Sequence, residues 1–190
     1  QGDPNRKLST RPQMERDEWQ KFCEKISELG KYLEDEGMPL AYHHHMGTVI
    51  ETQKDTERLI ENTHESVKLT LDTGHMLFAK GDSKYILQNY HERILHVHCK
   101  DIRKQVLEKS LKEDLSFRGA FLEGAFTVPG DGCIDYQPLF NVLKNNNYSG
   151  WLVVEAEQDP AKANPLEYAK IGYKYLTDTL KKSEIEIYKN

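Results

Sequence analysis

Imidazoles and carboxylates recur in this chain at spacings that could gather a metal ion. "AYHHH" sets His43, His44 and His45 in a row, and "LDTGH" pairs Asp72 with His75. "HVHCKD" carries His96 and His98 ahead of Lys100 and Asp101, and "WLVVEAEQD" holds Glu155 and Glu157. Mixed nitrogen and oxygen donors suit Mn, Co, Fe or Zn better than Ca, which favours all-oxygen sites. A divalent ion held by such a set could polarise a carbonyl and stabilise an enolate.

Each group also has a plainer reading. Side chains alternate along a strand, so His43 and His45 share one face while His44 takes the other and packs between strand and helices. The competing reading is a solvated histidine tract. Asp72 could supply a hard oxygen or simply cap a helix or tie a turn. His98 lies nearer the strand exit than His96, whose ordinary role is a buried histidine bonded to backbone. Lys100 and Arg103 could orient a hydroxyl-rich or anionic substrate, or be solvated charges. Glu155, directly after "WLVV", is expected to be buried and to need a partner or a metal. Glu157 fits an exposed strand end better.

The elements that position these groups alternate. Trp19, Phe22, Ile26, Leu29 and Leu33 fall at helical spacing in "RDEWQKFCEKISELGKYLEDEG", with Gly37 as the stop. "PLAYHHH", "VKLTLDTGH", "RILHVHCKD" and "SGWLVVEAEQD" read as strands. "QKDTERLIENT", "DSKYILQNYHE", "YQPLFNVLKNNNY" and "NPLEYAKIGYKYLTDTL" read as helices. Residues 1–14 and "FTVPGDGCID" read as loops, and 102–124 as a polar, partly helical stretch. This order predicts an α/β fold with a parallel sheet, residues 1–190 forming a single domain. Every strand ends in ionisable residues, where parallel-sheet enzymes place their sites.

Bulk properties narrow the field. A net charge of -5 and a pI near 5.9 argue against a nucleic-acid partner. No apolar run approaches the roughly 18 residues of a membrane span. The chain opens on "QGDPNRKLST", without an initiator Met or a signal peptide, which suggests a fragment or a processed chain. Cys23, Cys99 and Cys133 are widely spaced and are expected to be reduced thiols of a cytoplasmic protein.

Five motifs together are more specific. "YHHHMGT", "DTGH", "HVHCKDIR", "FTVPGDG" and "GWLVVEAEQDPAKANP" resemble, in order and spacing, the myo-inosose-2 dehydratase family of inositol catabolism. "DTGH" alone would indicate only the wider superfamily, the xylose-isomerase-like sugar phosphate isomerases and epimerases. The resemblance implies a (β/α)8 TIM barrel of which this chain is the second half, strands 5 to 8 with their helices, starting at the end of the fourth strand at "QG". It implies a hydro-lyase that converts scyllo-inosose (2-keto-myo-inositol) to a trihydroxycyclohexane-1,2-dione and water through a metal-stabilised enolate. The implied metal ligands are His43, Asp72, His98 and Glu155, for Mn2+ or Co2+, with glutathione as an associated cofactor. His43 stands where many relatives carry glutamate. Glu51 is an alternative ligand but is expected at the start of the next helix. Glu155 or Glu157 is the implied base and His75 or His45 the acid, while His45, His75, Lys100 and Arg103 would contact the polyol ketone. Two alternatives stay open. One is a ketose epimerase or isomerase with the same metal and no elimination. The other is an inactive fragment that binds metal or a partner chain, two half barrels pairing their edges into a homo-oligomer.

Overall fold

The computed structural model describes residues 3–187. A lead segment with a short 3-10 turn, Leu8–Thr10, precedes α1 (Arg16–Asp35). Then follow β1 (Leu40–His43), α2 (Gln53–Asn62), β2 (Val67–Asp72), α3 (Thr73–Phe78), α4 (Ser83–Tyr90) and β3 (Ile94–Cys99). The second part runs β4 (Asp101–Ile102), α5 (Lys104–Lys112), α6 (Phe117–Leu122), β5 (Phe126–Thr127), α7 (Gln137–Asn145), β6 (Trp151–Val154) and α8 (Pro165–Lys182).

Four strands form one sheet in the order β1-β2-β3-β6, and every pairing is parallel. The helical crossovers this requires are those the sequence periodicity predicts. In β2 the alternation is clean: Val67, Leu69 and Leu71 are fully buried against the helices. Burying one such leucine contributes about 2 kcal/mol. The same core takes Trp19 and Leu59 from the first two helices, Ile86 from α4, Phe140 from α7 and Leu176 from α8. The opposite sheet face therefore receives Lys68, Thr70 and Asp72 from β2, and His96 and His98 from β3. Among the described residues β1 and β6 each have a strand neighbour on one side only. The "QG" pair, Gln1 and Gly2, expected to end a preceding strand, lies outside the described residues.

Three local differences from the sequence reading matter for the site. β1 ends at His43, so His44 and His45 belong to the loop that follows. In "VKLTLDTGH" the strand stops at Asp72 and a short helix takes over at Thr73; Asp72 is the N-cap of α3, one of the roles the sequence left open, its Oδ1 accepting the His75 N–H at 2.9 Å. A capping carboxylate satisfies an otherwise orphaned helix donor, and here that outweighs the glycine's cost. The "FTVPGDGCID" loop starts in β5, which pairs antiparallel with β4. Two-residue strands are too short to show alternation.

A second apolar cluster joins Met46, Phe78, Ile102, Leu107, Ala120 and Phe126. The lead segment braces the loop after β1. The Arg11 guanidinium lies 3.0 Å from Asp55 and 3.7 Å from Glu51, and reaches the Thr48 and Val49 carbonyls at 3.5 Å. The same segment is bonded at Leu8 and Ser9 to Leu115 and Asp114. All three cysteines are free thiols, Cys23 and Cys99 buried and Cys133 exposed. No described helix is long and apolar enough to cross a membrane.

Asp101 is fully buried and accepts backbone N–H bonds from Ile102 (2.7 Å), Ile134 (2.9 Å) and Gly130 (3.2 Å). It fixes the loop after β5 and takes no part in the cluster at the strand ends. Replacing it with Ala strands three buried donors. In urea unfolding, Asp101→Ala is expected to lower stability by about 3 kcal/mol; a loss within about 0.5 kcal/mol would show that the loop is not held this way.

Candidate metal centre

The carboxyl ends of β1, β2, β3 and β6 converge, and with them the ionisable residues. Asp72 is wholly buried at the centre. Its Oδ2 lies 3.4 Å from His43 Nε2, 3.5 Å from His98 Nδ1 and 3.4 Å from Lys100 Nζ. Its backbone N–H donates to His44 Nε2 at 3.1 Å. Burial alone would push the Asp72 carboxyl up. The neighbouring His75, the contacts with His43 and His98 and the Lys100 ammonium outweigh this and hold it well below the usual carboxylate range.

Asp72, His98 and Glu155 bring one donor atom each within 4.8 Å of one another. His98 Nδ1 and Glu155 Oε2 are buried and, among the described residues, have no hydrogen-bond partner. His98 Nδ1, left without a bonded partner, stands beside two carboxylates that share only the Lys100 ammonium, so this mixed nitrogen and oxygen donor set fits a divalent metal. His43 shares a second grouping with Asp72 and His75, so the fourth expected ligand stands on the Asp72 side but outside the tight triad.

A third grouping is His45, His75 and Glu157. Glu157 Oε1 lies 3.5 Å from His45 Nε2, and Oε2 lies 3.3 Å from His75 Nε2. Glu157 is therefore not the exposed strand end expected. The chain beyond β6 turns inward, and the carboxylate is half-buried against two imidazoles. Burial would raise its pKa, but the His45 and His75 contacts and Lys100 prevail and keep it ionised. His45 Nδ1 lies 2.7 Å from the Met46 carbonyl, which it bonds as a donor, leaving Nε2 toward Glu157. His75 is fully buried, and burial pushes it down to about 4. At neutral pH it is uncharged, which weakens the expectation that it donates a proton.

Lys100 is a buried cation rather than a solvated one. Its Nζ is 2.7 Å from Glu157 Oε2, 2.9 Å from His75 Nε2 and 2.7 Å from Glu155 Oε2. The last contact is an ion pair without hydrogen-bond alignment, which leaves Glu155 Oε2 without a bonded donor. Gly74 makes room for its stem, since a Cβ there would meet Lys100 Cγ at 2.7 Å. Arg103 is not brought to this cluster. Its guanidinium is taken up by Asp131 at 2.6 Å, Thr127 at 3.1 Å and the Gly124 carbonyl at 2.9 Å. Glu51 sits before the N-cap of α2, accepts the Gly47 N–H at 2.6 Å and is occupied structurally. Phe117 and Phe126 line the site, 5.1 Å from the His45 ring and 5.2 Å from the His75 ring. Sequence reading passed over both: Phe117 opens "FRGAF" in a stretch that reads as polar, and Phe126 opens "FTVPGDGCID", which reads as a loop.

A parallel sheet with crossover helices and a polar cluster at the strand ends defines an α/β enzyme-like scaffold, and comparison narrows it. A family model described as Xylose isomerase-like TIM barrel matches residues 4–179, so the chain belongs to that family. It is 50% identical over 163 residues to an inosose dehydratase of Clostridium beijerinckii, covering 85% of this chain and 55% of the relative. It is 46% identical over 169 residues to the rhizopine catabolism protein MocC of Rhizobium meliloti, covering 89% and 52%. The chain thus spans about half the length of these relatives. A solved structure described as IOLI protein with a binding zinc atom shares the fold, with a TM-score of 0.67 at 20% identity, covering 92% of this chain and 60% of that one.

Two outcomes are expected. Mn2+ or Co2+ at a hundredfold excess over its Kd should raise the unfolding free energy by about 2.7 kcal/mol. The rise should vanish in His98→Ala and persist in Arg103→Ala; a rise surviving His98→Ala would place the ion elsewhere. Gly74→Ala should cost about 2 kcal/mol in the same measurement, because the base of a buried side chain cannot give way. A neutral result would mean that Lys100 is free to move.

Proposed function

We propose that this chain is the metal-bearing second half of an inosose dehydratase barrel, strands 5 to 8 with their helices, acting on scyllo-inosose. The observation that carries this reading is the 50% identity with the Clostridium beijerinckii inosose dehydratase over 85% of the chain. The half-barrel reading is supported by the one-sided pairing of β1 and β6. Large apolar side chains are also exposed on β6 and on the elements next to the two edge strands: Tyr32 on α1, Met38 before β1, Trp151 on β6, and Leu166 and Tyr173 on α8.

In this reading His43, Asp72, His98 and Glu155 hold Mn2+ or Co2+. The ion would supply Lewis acidity, polarising a ketone and stabilising the charge left when an adjacent proton departs. Glu155, whose Oε2 has no bonded donor, takes the proton alpha to the carbonyl. His45 gives a proton to the beta hydroxyl, which leaves as water. Its two nitrogens face acceptors, the Met46 carbonyl and Glu157, an arrangement that suits a doubly protonated ring. Glu157, anchored by Lys100, fixes that ring. Lys100 and the neutral His75, both buried, stand behind Glu157 and act on the substrate through it. The phenyl rings of Phe117 and Phe126 exclude water on the His45 and His75 side.

The test is to co-produce this chain with the portion of the Clostridium beijerinckii relative that lies outside the match. Scyllo-inosose consumption and the ultraviolet absorbance of the product are then followed, with Mn2+ or Co2+ and with or without glutathione. Metal-dependent loss of water is expected, reduced more than about 100-fold by His98→Ala. An isomeric ketone in place of the dione would replace dehydration with epimerase or isomerase chemistry. A metal-loaded complex with neither activity would overturn the reading.

A further inference from the structure

Of the three groupings of three donors in the cluster, two share no residue with each other. One is Asp72, His98 and Glu155; the other is His45, His75 and Glu157. Two imidazoles and a carboxylate form a competent set for a borderline divalent ion such as cobalt or zinc. The second set, however, already holds a positive charge. Lys100 Nζ lies 2.7 Å from Glu157 Oε2 and 2.9 Å from His75 Nε2. Its stem is held over Gly74, its ammonium lies 5.1 Å from the Phe126 ring centre, and the side chain is 1% exposed. On the other side it lies equally near Glu155 Oε2, at 2.7 Å, but without hydrogen-bond alignment, and 3.4 Å from Asp72 Oδ2; the imidazole of that set, at His98 Nδ1, has no hydrogen-bond partner among the described residues, whereas His75 Nε2 is bonded to Lys100.

Charge points the same way. Asp72, Glu155 and Glu157 bring three negative charges, and the Lys100 ammonium cancels one. A second divalent ion would add two further positive charges to a half-buried pocket that already holds the Lys100 ammonium and one divalent ion, where their repulsion is poorly screened.

We propose that Lys100 is a built-in cation that closes the His45–His75–Glu157 set to metal and so limits this centre to one divalent ion per chain. The inference rests on the metal-centre reading above and deepens it, assigning the stoichiometry to one side chain.

The test is titration of the chain with Co2+, reading metal per chain after dialysis together with the visible absorption of bound cobalt. The unaltered chain should hold one ion. Lys100→Met should hold two, a twofold rise with an added absorption band from the second equivalent. Lys100→Arg, which keeps the charge, should hold one. Adding His45→Ala to Lys100→Met should return the count to one and so locate the second ion. Lys100→Gln carries the same expectation as Lys100→Met and serves where that variant is unfolded by circular dichroism. Two ions on the unaltered chain, or one ion on a folded Lys100→Met or Lys100→Gln chain, would overturn the role of Lys100 and leave the metal centre standing. No cobalt on any folded variant would overturn the metal centre and this inference together.

Discussion

The burial of one carboxylate, Asp72, organises this molecule. A buried anion costs several kcal/mol unless it is surrounded by donors and opposite charge. Asp72 divides that requirement between its oxygens. Oδ1 satisfies the first turn of α3, while Oδ2 faces His43, His98 and Lys100. Its own N–H goes to His44. The ends of β1, β2 and β3 are thereby tied to one another through a single residue. The close passage of Lys100 over Gly74 follows from the helix that Asp72 starts.

The three consecutive histidines show how differently neighbours can be used. His44 is fully buried, accepts the Asp72 N–H and is pushed down to about 3 by burial, so it serves as a neutral structural acceptor. His43 and His45 are half-buried, and their rings lie 5.6 Å apart at right angles. The same tripeptide thus divides between core and site just where β1 gives way to the loop that follows.

Much of this was legible in the sequence. Period-two and period-3.6 patterns placed the four parallel strands and the major helices, with ionisable residues at every strand end; the choice of His43, Asp72, His98 and Glu155 among them came from the family resemblance. What periodicity encodes is which face a residue takes, not what lies opposite it. The partnership of Lys100 with Glu157 joins positions 57 residues apart, and it depends on the β3–β6 register, which sets Cys99 beside Val154, and on the inward path after β6. Neither leaves a local mark. Arg103 looked like a substrate contact because it follows a strand end, yet the two-residue pairing of β4 with β5 carries it to Asp131 instead. The role of Asp72 as a helix cap was among its sequence readings. That it also serves the cluster could not be read from "DTGH" alone.

The Arg11 brace has a consequence for how the site is held. His45 rides on the loop after β1, whose carbonyls and acidic side chains are fastened to Arg11. The residues just before Arg11 are in turn bonded to Ser9's partner Asp114 and to Leu115, in the turn between α5 and α6. That turn leads into the helix carrying Phe117, whose ring stands against His45. Loop, lead segment and aromatic wall therefore form a closed mechanical circuit. The place of His45 beside Glu157 is thereby set jointly by three segments far apart in the chain, joined through Arg11.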